Sequence, residues 1–405
     1  MPDKTSKKIM VLVHEGLYGG GSLQTFYILQ ALCQKGFRPL VVTNAKGTAM
    51  ERKIQQAKLE LDFRYSSLIQ RPINPFKDFL TLLYLIRVML QEKPDVVLTS
   101  GVKLIGLGSL AAWFARMPPC VAVIRGQGAA PGSRLLSVVY AMERFVAWLG
   151  TRFITVCEYD RQQMLSRNIC PSQQVVTIHN GTHLERFRSG EKGHVRKQFE
   201  IPESAVVFGM VGRLYPQKRY DAFVQLMAPL CKEYSHVYGL LVGEGEDRVA
   251  LQALIDACGA QEKIKITGYV ENMPDIYAGI DVSVLFTRYE GLPNALLESC
   301  AAGVPMVADD VCGNPEIIRH AQNGYIVPAD DTQQALVFCR QMIEDSQLRN
   351  TLGKHAARIA EECFDHRRQI HRLIEEALGE TLPEASKTPE NKGLEEVLPV
   401  GESPR

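Results

Sequence analysis

The stretch Phe286-Thr287-Arg288-Tyr289-Glu290-Gly291-Leu292-Pro293-Asn294-Ala295-Leu296-Leu297-Glu298 ends an apolar run, turns through a short polar loop and opens a helix-compatible segment almost at once. Gly291 frees the backbone in the turn, and Pro293 suits the first position of a new helix. A helix starting there aims its unpaired N–H groups and positive dipole end at the loop that holds Glu290. Glu298 then falls about one turn inside it. Such a turn suits a ligand with phosphate at one end and hydroxyls at the other.

The run that leads into this turn, Asp281 to Phe286, is one of many short apolar segments. Lys8–Val13, Phe37–Thr43, Asp95–Ser100, Cys120–Ile124, Arg152–Val156 and Val175–Ile178 precede it in the first half. Ala205–Val211, Val237–Val242, Ile264–Thr267, Val304–Ala308 and Tyr325–Val327 surround it in the second. Their length and lack of polar alternation predict strands buried on both faces. Helical patterns separate them, as at Leu23, Phe26, Tyr27 and Leu32, or at Phe223, Leu226, Met227 and Leu230. This alternation predicts right-handed βαβ units and two doubly wound α/β domains in tandem. The polar segment Gly181 to Ser204 has no clear periodicity and reads as the linker. Beyond about Glu380 the chain is rich in Glu, Lys, Pro and Ser, which predicts disorder.

The chain has 405 residues, more than one core usually serves. Lys and Arg number 46 against 45 Asp and Glu, so no global field recruits nucleic acid. Ten cysteines are scattered without a CxxC pair, which fits free thiols in a reducing compartment. The first residues show no signal-peptide pattern, and the most apolar segment, Phe79 to Leu90, is too short to span a bilayer and contains Arg87. These features predict a cytoplasmic protein.

Ligands of open α/β sheets gather at the carboxyl ends of the strands, and four loops of interest fall there. Gly19-Gly20-Gly21 follows the first strand and reads either as a plain tight turn or as a close approach to an anion. Arg213 and Lys218 lie in one strand-to-helix loop. A bidentate fork and a mobile point charge together fit a diphosphate, although a solvated pair is the simpler alternative. Gly268-Tyr269-Val270-Glu271-Asn272 can read a flat base through backbone groups, or be an ordinary loop. In the opening stretch, Glu298 is placed to grip two vicinal hydroxyls and Glu290 lies nearer the loop tip; two solvent-facing glutamates are the rival reading. Asp309-Asp310 and Asp330-Asp331 are the nearest candidates for a cation site and read more simply as loop residues, so no metal is expected.

Glu290 and Glu298, with Gly-Leu-Pro-Asn between them and Gly303-Val-Pro305 after them, resemble the E-x7-E signature of the GT-B glycosyltransferases of family 4. Gly212-Arg213…Lys218, Gly243-Glu-Gly245, Gly268-Tyr269-Val270, Gly313-Asn-Pro-Glu316 and Asn323-Gly324 fall in that family's order. The resemblance covers roughly residues 8 to 370 and is strongest from 205 to 328. It implies a GT-B fold, two Rossmann-like domains facing a central cleft, and retaining transfer of a sugar from a nucleotide donor. It further implies that Arg213 and Lys218 neutralise the diphosphate, Glu298 holds the ribose and Glu290 contacts the donor sugar. Gly291, Leu292 and Asn294 would support phosphates and sugar, and Gly20 and Gly21 the diphosphate from the other domain; Tyr269, Val270 and Asn272 stay candidates for substrate binding on the loop reading above. No cofactor is implied beyond the nucleotide-diphosphate sugar, which is the donor substrate.

The domains expected on this basis are residues 1–185 on the acceptor side and 186–365 on the nucleotide-sugar side. A C-terminal helix at 366–380 could return to the first domain, and 381–405 form a tail. Two positions depart from the family pattern. Many members place a His after the fourth strand, where Ile124-Arg125-Gly126-Gln127-Gly128 stands here; Arg125 is a candidate for a sugar or acceptor-phosphate contact, or a structural Arg. His183 stands where an Asp is common. The basic loop Arg64 to Lys77, the helix Phe79 to Leu90 and the segment Leu135 to Trp148 mix apolar and basic surface. That surface suits peripheral contact with the inner face of a membrane and a lipid-linked glycan or lipopolysaccharide core acceptor, or simply packs on the sheet. A GT-B sugar-nucleotide epimerase and a non-catalytic nucleotide-binding partner are the alternative functions.

Overall fold

A computed structural model describes residues 7–14, 20–44, 46–126 and 132–382. The chain divides into two compact units. Unit 1 runs through Val156, continues over Arg161–Ile178 and resumes at Ile370; unit 2 is Cys157–Asp160 with His179–Gln369. The chain passes from one to the other ahead of the boundary drawn at residue 185. The tail beyond Leu382, Gly19 of the glycine loop and Gln127-Gly128 lie outside the described residues.

Unit 1 is built on a seven-stranded parallel sheet. Its strands are β1 (Ile9–Leu12), β2 (Leu40–Thr43), β3 (Asp62–Tyr65), β4 (Val96–Ser100), β5 (Val121–Ile124), β6 (Arg152–Thr155) and β7 (Val175–Thr177), in the order β3-β2-β1-β4-β5-β6-β7. Met10 of β1 stands opposite Leu40 on one side and Val97 on the other. Helices cover the sheet, as the βαβ pattern requires. The helix Pro75–Glu92 shows why they start where they do: Asn74 accepts from the Lys77 N–H, and a proline sits in the first turn. Met10, Leu12, Val42, Leu85, Met89 and Leu104 pack into one core cluster, and Ile105, Ala122, Val146 and Phe153 into another.

Unit 2 repeats the plan with six parallel strands, β8 (Val206–Val211), β9 (Val237–Val242), β10 (Ile264–Gly268), β11 (Val282–Leu285), β12 (Met306–Asp309) and β13 (Gly324–Val327). They run in the order β10-β9-β8-β11-β12-β13. Both sheets therefore reverse direction of winding once, between β1 and β4 and between β8 and β11. In an open α/β sheet the crevice at that reversal is where ligands bind.

Three expectations need correction. Residues 181–204 are not an unpatterned linker; they contain the helices Leu184–Arg188 and Lys192–Gln198. Helices of five and seven residues are too short to print a 3.6-residue period, and buried Leu184, Phe187 and Val195 fix them instead. Pro293 is the residue before the helix Asn294–Ala301, with an extended ψ of 121°, and not its first position. Asp309 is no loop residue, since it ends β12 and is 1% exposed. Asp331, by contrast, is a loop residue as read, and it caps the helix Thr332–Glu344 by accepting from the Gln334 N–H.

Among the described residues no helix is long and apolar enough to cross a membrane. The described cysteines are all free.

Candidate active site

The site of unit 2 forms where β8 and β11 end side by side. Past β8 the chain runs through Gly212 and Arg213 to Lys218; past β11 it runs through Thr287 to Gly291. Hydrogen bonds brace one loop on the other. The Arg288 N–H donates to the Gln217 carbonyl at 2.9 Å, and Gln217 Nε2 donates to the Tyr289 carbonyl at 2.6 Å. The Thr287 hydroxyl reaches the same Gln217 carbonyl at 3.2 Å. Below them, buried Asp309 accepts from the Thr287 N–H at 3.0 Å. Burial pushes the Asp309 carboxyl up to about 6, against the pull of that N–H and of Arg219.

The charged side chains sit on this brace. Lys218 and Glu290 form an ion pair, each largely shielded from solvent, and Gln217 Nε2 lies 3.4 Å from the same Glu290 oxygen. Arg213 is exposed, its guanidinium 5.0 Å from the centre of the Tyr215 ring, and makes no ion pair among the described residues. Close packing behind the loop explains two glycines. A Cβ at Gly243 would stand 1.9 Å from the Gly212 carbonyl oxygen, and one at Gly313 would stand 2.4 Å from that of Gly291. Gly291 and Leu292 are buried, and Asn294 opens the helix that carries Glu298.

Glu298 lies one turn in. Its Oε2 is 2.9 Å from the hydroxyl of buried Tyr277, which is also 3.1 Å from the Ala295 carbonyl. Burial pushes the Glu298 carboxyl up to about 7; the Tyr277 hydroxyl and the charge of Arg186 pull it down. The charge of Arg186 also acts on Tyr269. Tyr269 is 66% exposed past β10, followed by half-buried Val270 and by Asn272, whose amide donates to Asp275 at 2.8 Å. The Arg186 charge therefore acts on both the Glu298 carboxyl and Tyr269 past β10. Sequence reasoning missed it because it lies in the segment read as linker. Gln217 and Tyr277 were missed as well, and Asp309 was read only as a loop acid; their partners lie 18 to 73 residues away along the chain.

The other motifs are braces. Glu316 accepts from the N–H groups of Glu158 and Tyr159, at 2.8 and 3.0 Å, and from His179 Nε2 at 2.8 Å. Asn323 accepts from the Arg319 N–H and donates to the Ile317 carbonyl. His183 caps the helix Leu184–Arg188 and stacks on His366. Among the described residues, no group of three or more His, Cys, Asp and Glu side chains is arranged to hold a metal ion.

In unit 1, Gly20 and Gly21 form the exposed first turn of the helix Gly20–Gln34, and Arg125 directly follows β5 beside them. An ideal Cβ at Gly21 would lie 3.8 Å from Arg125 Cδ. These three residues belong to unit 1, the remaining candidates to unit 2.

A tandem of doubly wound sheets with a loaded switch point defines a class, and comparison with known proteins names it. Residues 191–359 match the model for Glycosyl transferases group 1, and residues 18–186 match that for Glycosyltransferase Family 4. Together the two matches span most of the chain, which belongs to the family-4 glycosyltransferases of GT-B type. It is 26% identical over 293 residues to the Escherichia coli UDP-Gal:alpha-D-GlcNAc-diphosphoundecaprenol alpha-1,3-galactosyltransferase, covering 70% of this chain and 75% of that protein. It is 24% identical over 304 residues to the Staphylococcus aureus capsular polysaccharide biosynthesis glycosyltransferase CapM, covering 73% and 80%. The fold matches that of Anabaena Alr3699/HepE, solved in complex with UDP and glucose. The TM-score is 0.78 at 20% identity, over 92% of this chain and 99% of that one.

Proposed function

We propose that this glycosyltransferase moves a sugar, with retention at the anomeric carbon and without a divalent ion, from a nucleoside diphosphate sugar to a lipid-linked or lipopolysaccharide-type cell-surface glycan. The observation that carries this reading is the braced pair of loops at the β8/β11 reversal. It presents Lys218 beside Glu290 and Arg213 on the same β8 loop, with Glu298 one helical turn behind. In the transfer, the bond between the anomeric carbon and the diphosphate breaks and the electron pair leaves with the phosphate. A bond from an acceptor hydroxyl forms on the same face, and the hydroxyl proton passes to the departing diphosphate. Arg213 and Lys218 stabilise that leaving group, a preorganised electrostatic role. Lys218 rests on Glu290 until the donor arrives, so the pair loads the site without exposing a bare charge. Glu298 accepts from the ribose hydroxyls, Glu290 faces the donor sugar, and the backbone at Gly291, Leu292 and Asn294 supports both. Tyr269, Val270 and Asn272 flank the base, with Arg186 beside them.

The relatives' names support the donor and acceptor classes, since one uses UDP-galactose on a diphosphoundecaprenol-linked sugar and another builds capsular polysaccharide. Surface chemistry supports work at a membrane. Among the described residues, apart from Val249, Tyr269 and Val337, the exposed large apolar side chains all lie in unit 1, from Ile73 and Phe76 to Trp113, Phe145 and Trp148. Most project from three helices that pack in order, Pro75–Glu92, Val102–Phe114 and Arg134–Trp148. Exposed Arg87, Arg116, Arg134 and Arg144 share that surface, whereas Asp78 and Glu92 are consumed in ion pairs and Glu143 is buried. Apolar and cationic surface together fit the cytoplasmic face of an anionic bilayer.

The test is product analysis against a panel of UDP-, GDP- and ADP-sugars with lipid-linked glycan acceptors, in the presence and absence of EDTA. The reading expects one donor class to be consumed and an α-linked product from an α-donor, unaffected by EDTA. A rearranged free sugar would mean an epimerase, and no consumption of any donor would mean a binding partner only. Co-sedimentation with phosphatidylglycerol vesicles but not with pure phosphatidylcholine checks the membrane contact.

A further inference from the structure

Glu298 sits in a pocket that can hold it charged or neutral. The Tyr277 hydroxyl has one proton and two acceptors within reach, Glu298 Oε2 at 2.9 Å and the Ala295 carbonyl at 3.1 Å. It donates to the carboxylate when Glu298 is ionised. When Glu298 carries a proton, the carboxyl donates to the phenol oxygen and the phenol donates to Ala295 instead. Both forms are satisfied, so these hydrogen bonds do not choose between them. The choice matters for a ribose, because the anion accepts from two hydroxyls, whereas the acid has one oxygen taken up by its own proton.

The surrounding groups decide it. The helix Ser346–Cys363, packed on the helix of Glu298, turns Leu352, Ala356, Ile359 and Ala360 inward, none of which titrates. Glu316, from the helix Asn314–Ile317, is held by His179 and two backbone N–H groups, and Asp309, at the end of β12, by the Thr287 N–H. Asp275, on the helix of Tyr277, is held by Asn272 and the Glu191 N–H. Burial favours the acid and brings Glu298 to about 7.

The cation that acts against this burial is Arg186. Buried Leu184 and Phe187 seat the helix Leu184–Arg188 on both the helix Met273–Gly279, which carries Tyr277, and the helix Asn294–Ala301, which carries Glu298. The Phe187 ring meets the Tyr277 ring edge-on, with centroids 5.6 Å apart, and the Arg186 guanidinium stands 5.6 Å from the Phe187 centroid. On this helix Glu185 pairs with Arg367 and Arg188 with Glu361, and burial pulls His183 below its ordinary range. Arg186 is half-buried and makes no ion pair among the described residues. In such a partly desolvated setting a neighbouring charge acts more strongly than it would in water.

We infer that Arg186 is a positioning residue for the donor: its cation, seated on the helices of Tyr277 and Glu298, holds the Glu298 carboxylate in the anionic form that accepts from the ribose. This role rests on the ribose contact proposed for Glu298. Arg186 acts on the donor through that carboxylate and sets the pH at which the ribose is gripped.

The experiment follows the donor KM from about pH 6 to about pH 9 in wild type and Arg186→Met. A ¹³C NMR titration of the Glu298 carboxyl, assigned by its loss in Glu298→Gln, runs beside it on the full chain without nucleotide. In wild type KM should fall as pH rises through about 7. In Arg186→Met that inflection should move up to about pH 8, the effect of removing a nearby opposite charge. KM should then exceed wild type by about fivefold at pH 7 and by almost nothing at pH 9. Arg186→Lys should restore the wild-type inflection, and in a Glu298→Gln background Arg186→Met should add no pH-dependent loss. A loss that is the same at every pH would mark a direct or merely structural contact and overturn the inference, as would an inflection that does not move. If Glu298→Gln leaves KM unaffected at every pH, the ribose reading itself fails. The carboxyl resonance still tests Arg186 in that case: the same titration in Arg186→Met as in wild type would overturn its hold on Glu298, and an upward move would support it.

Discussion

Each unit buries one arginine in a revealing way. Arg196 of unit 2 is 0% exposed, yet every part of its fork is engaged. Its Nε donates to the Gly279 carbonyl at 3.2 Å, Nη1 to the carbonyls of Glu203 and Ala205 at 2.9 Å each, and Nη2 to Asp281 at 2.6 Å. Arg125 of unit 1 has two buried nitrogens and no partner for either. The first arginine closes the strand-entry side of its sheet and asks for nothing more. The second stands at the strand-exit side, where ligands arrive, and is left open. The chain satisfies the first charge by itself and leaves two nitrogens of the second without a hydrogen-bond partner.

The strongest way to break this contrast is to remove the satisfied charge. Arg196→Met takes the buried cation from Asp281 and a donor from four carbonyls, and breaking such a buried pair costs about 3–5 kcal/mol. Denaturant unfolding should register that loss, and a midpoint equal to wild type would refute the distinction. Next comes the exposed pair of the transfer site. Arg213→Ala should lower kcat by on the order of 10²–10³ and shift stability by no more than about 0.5 kcal/mol, since Arg213 is exposed and makes no ion pair among the described residues. Lys218→Ala should match it in rate. Near-normal turnover in both would remove the proposed leaving-group role.

The smallest effect sharpens the comparison on the acidic side. Glu298 titrates at about 7 in the fold and near the ordinary 4.3 when unfolded. As pH rises between those values, the unfolded chain releases a proton that the folded chain keeps, so stability falls across that window and levels off above it. Glu298→Gln removes this fall. It should unfold at a higher temperature than wild type at pH 8, by a margin that shrinks towards pH 5. Its KM for the donor should rise roughly tenfold at pH 8, the loss of one charged hydrogen bond to the ribose. A margin independent of pH would mean that Glu298 is not the group held neutral.

Much of the fold could be read in the chain because its signals are local. Runs such as Val206–Val211 are buried on both faces and alternate with helices, which leaves a parallel sheet as the solution. The Glu290–Glu298 turn was readable for the same reason, since strand end, glycine, proline and helix follow within thirteen residues. What escaped depends on distance. Nothing near Arg196 announces Asp281, 85 residues on. Asp309 reads as a loop acid because its partner, the Thr287 N–H, comes from another strand end. Arg186 was hidden inside a five-residue helix. The missing partners of Arg125 were illegible too, because an absence of carboxylates is a property of the folded neighbourhood.

The last helix, His366–Leu378, has a consequence for how the molecule is made. From Ile370 on it packs as part of unit 1, where Arg152 donates to the carbonyls of Glu376 and Ala377 and Lys7 to that of Leu378. Unit 2 is complete once the ribosome has released residue 369, whereas unit 1, begun first, waits for a helix translated after the whole of unit 2. During synthesis the first sheet must hold an unfinished edge beside Arg152 and Lys7 for the time it takes to build the whole second sheet. A nascent chain stalled before residue 370 should accordingly show a protease-resistant unit 2 and a still vulnerable unit 1, the reverse of the order in which their codons are read.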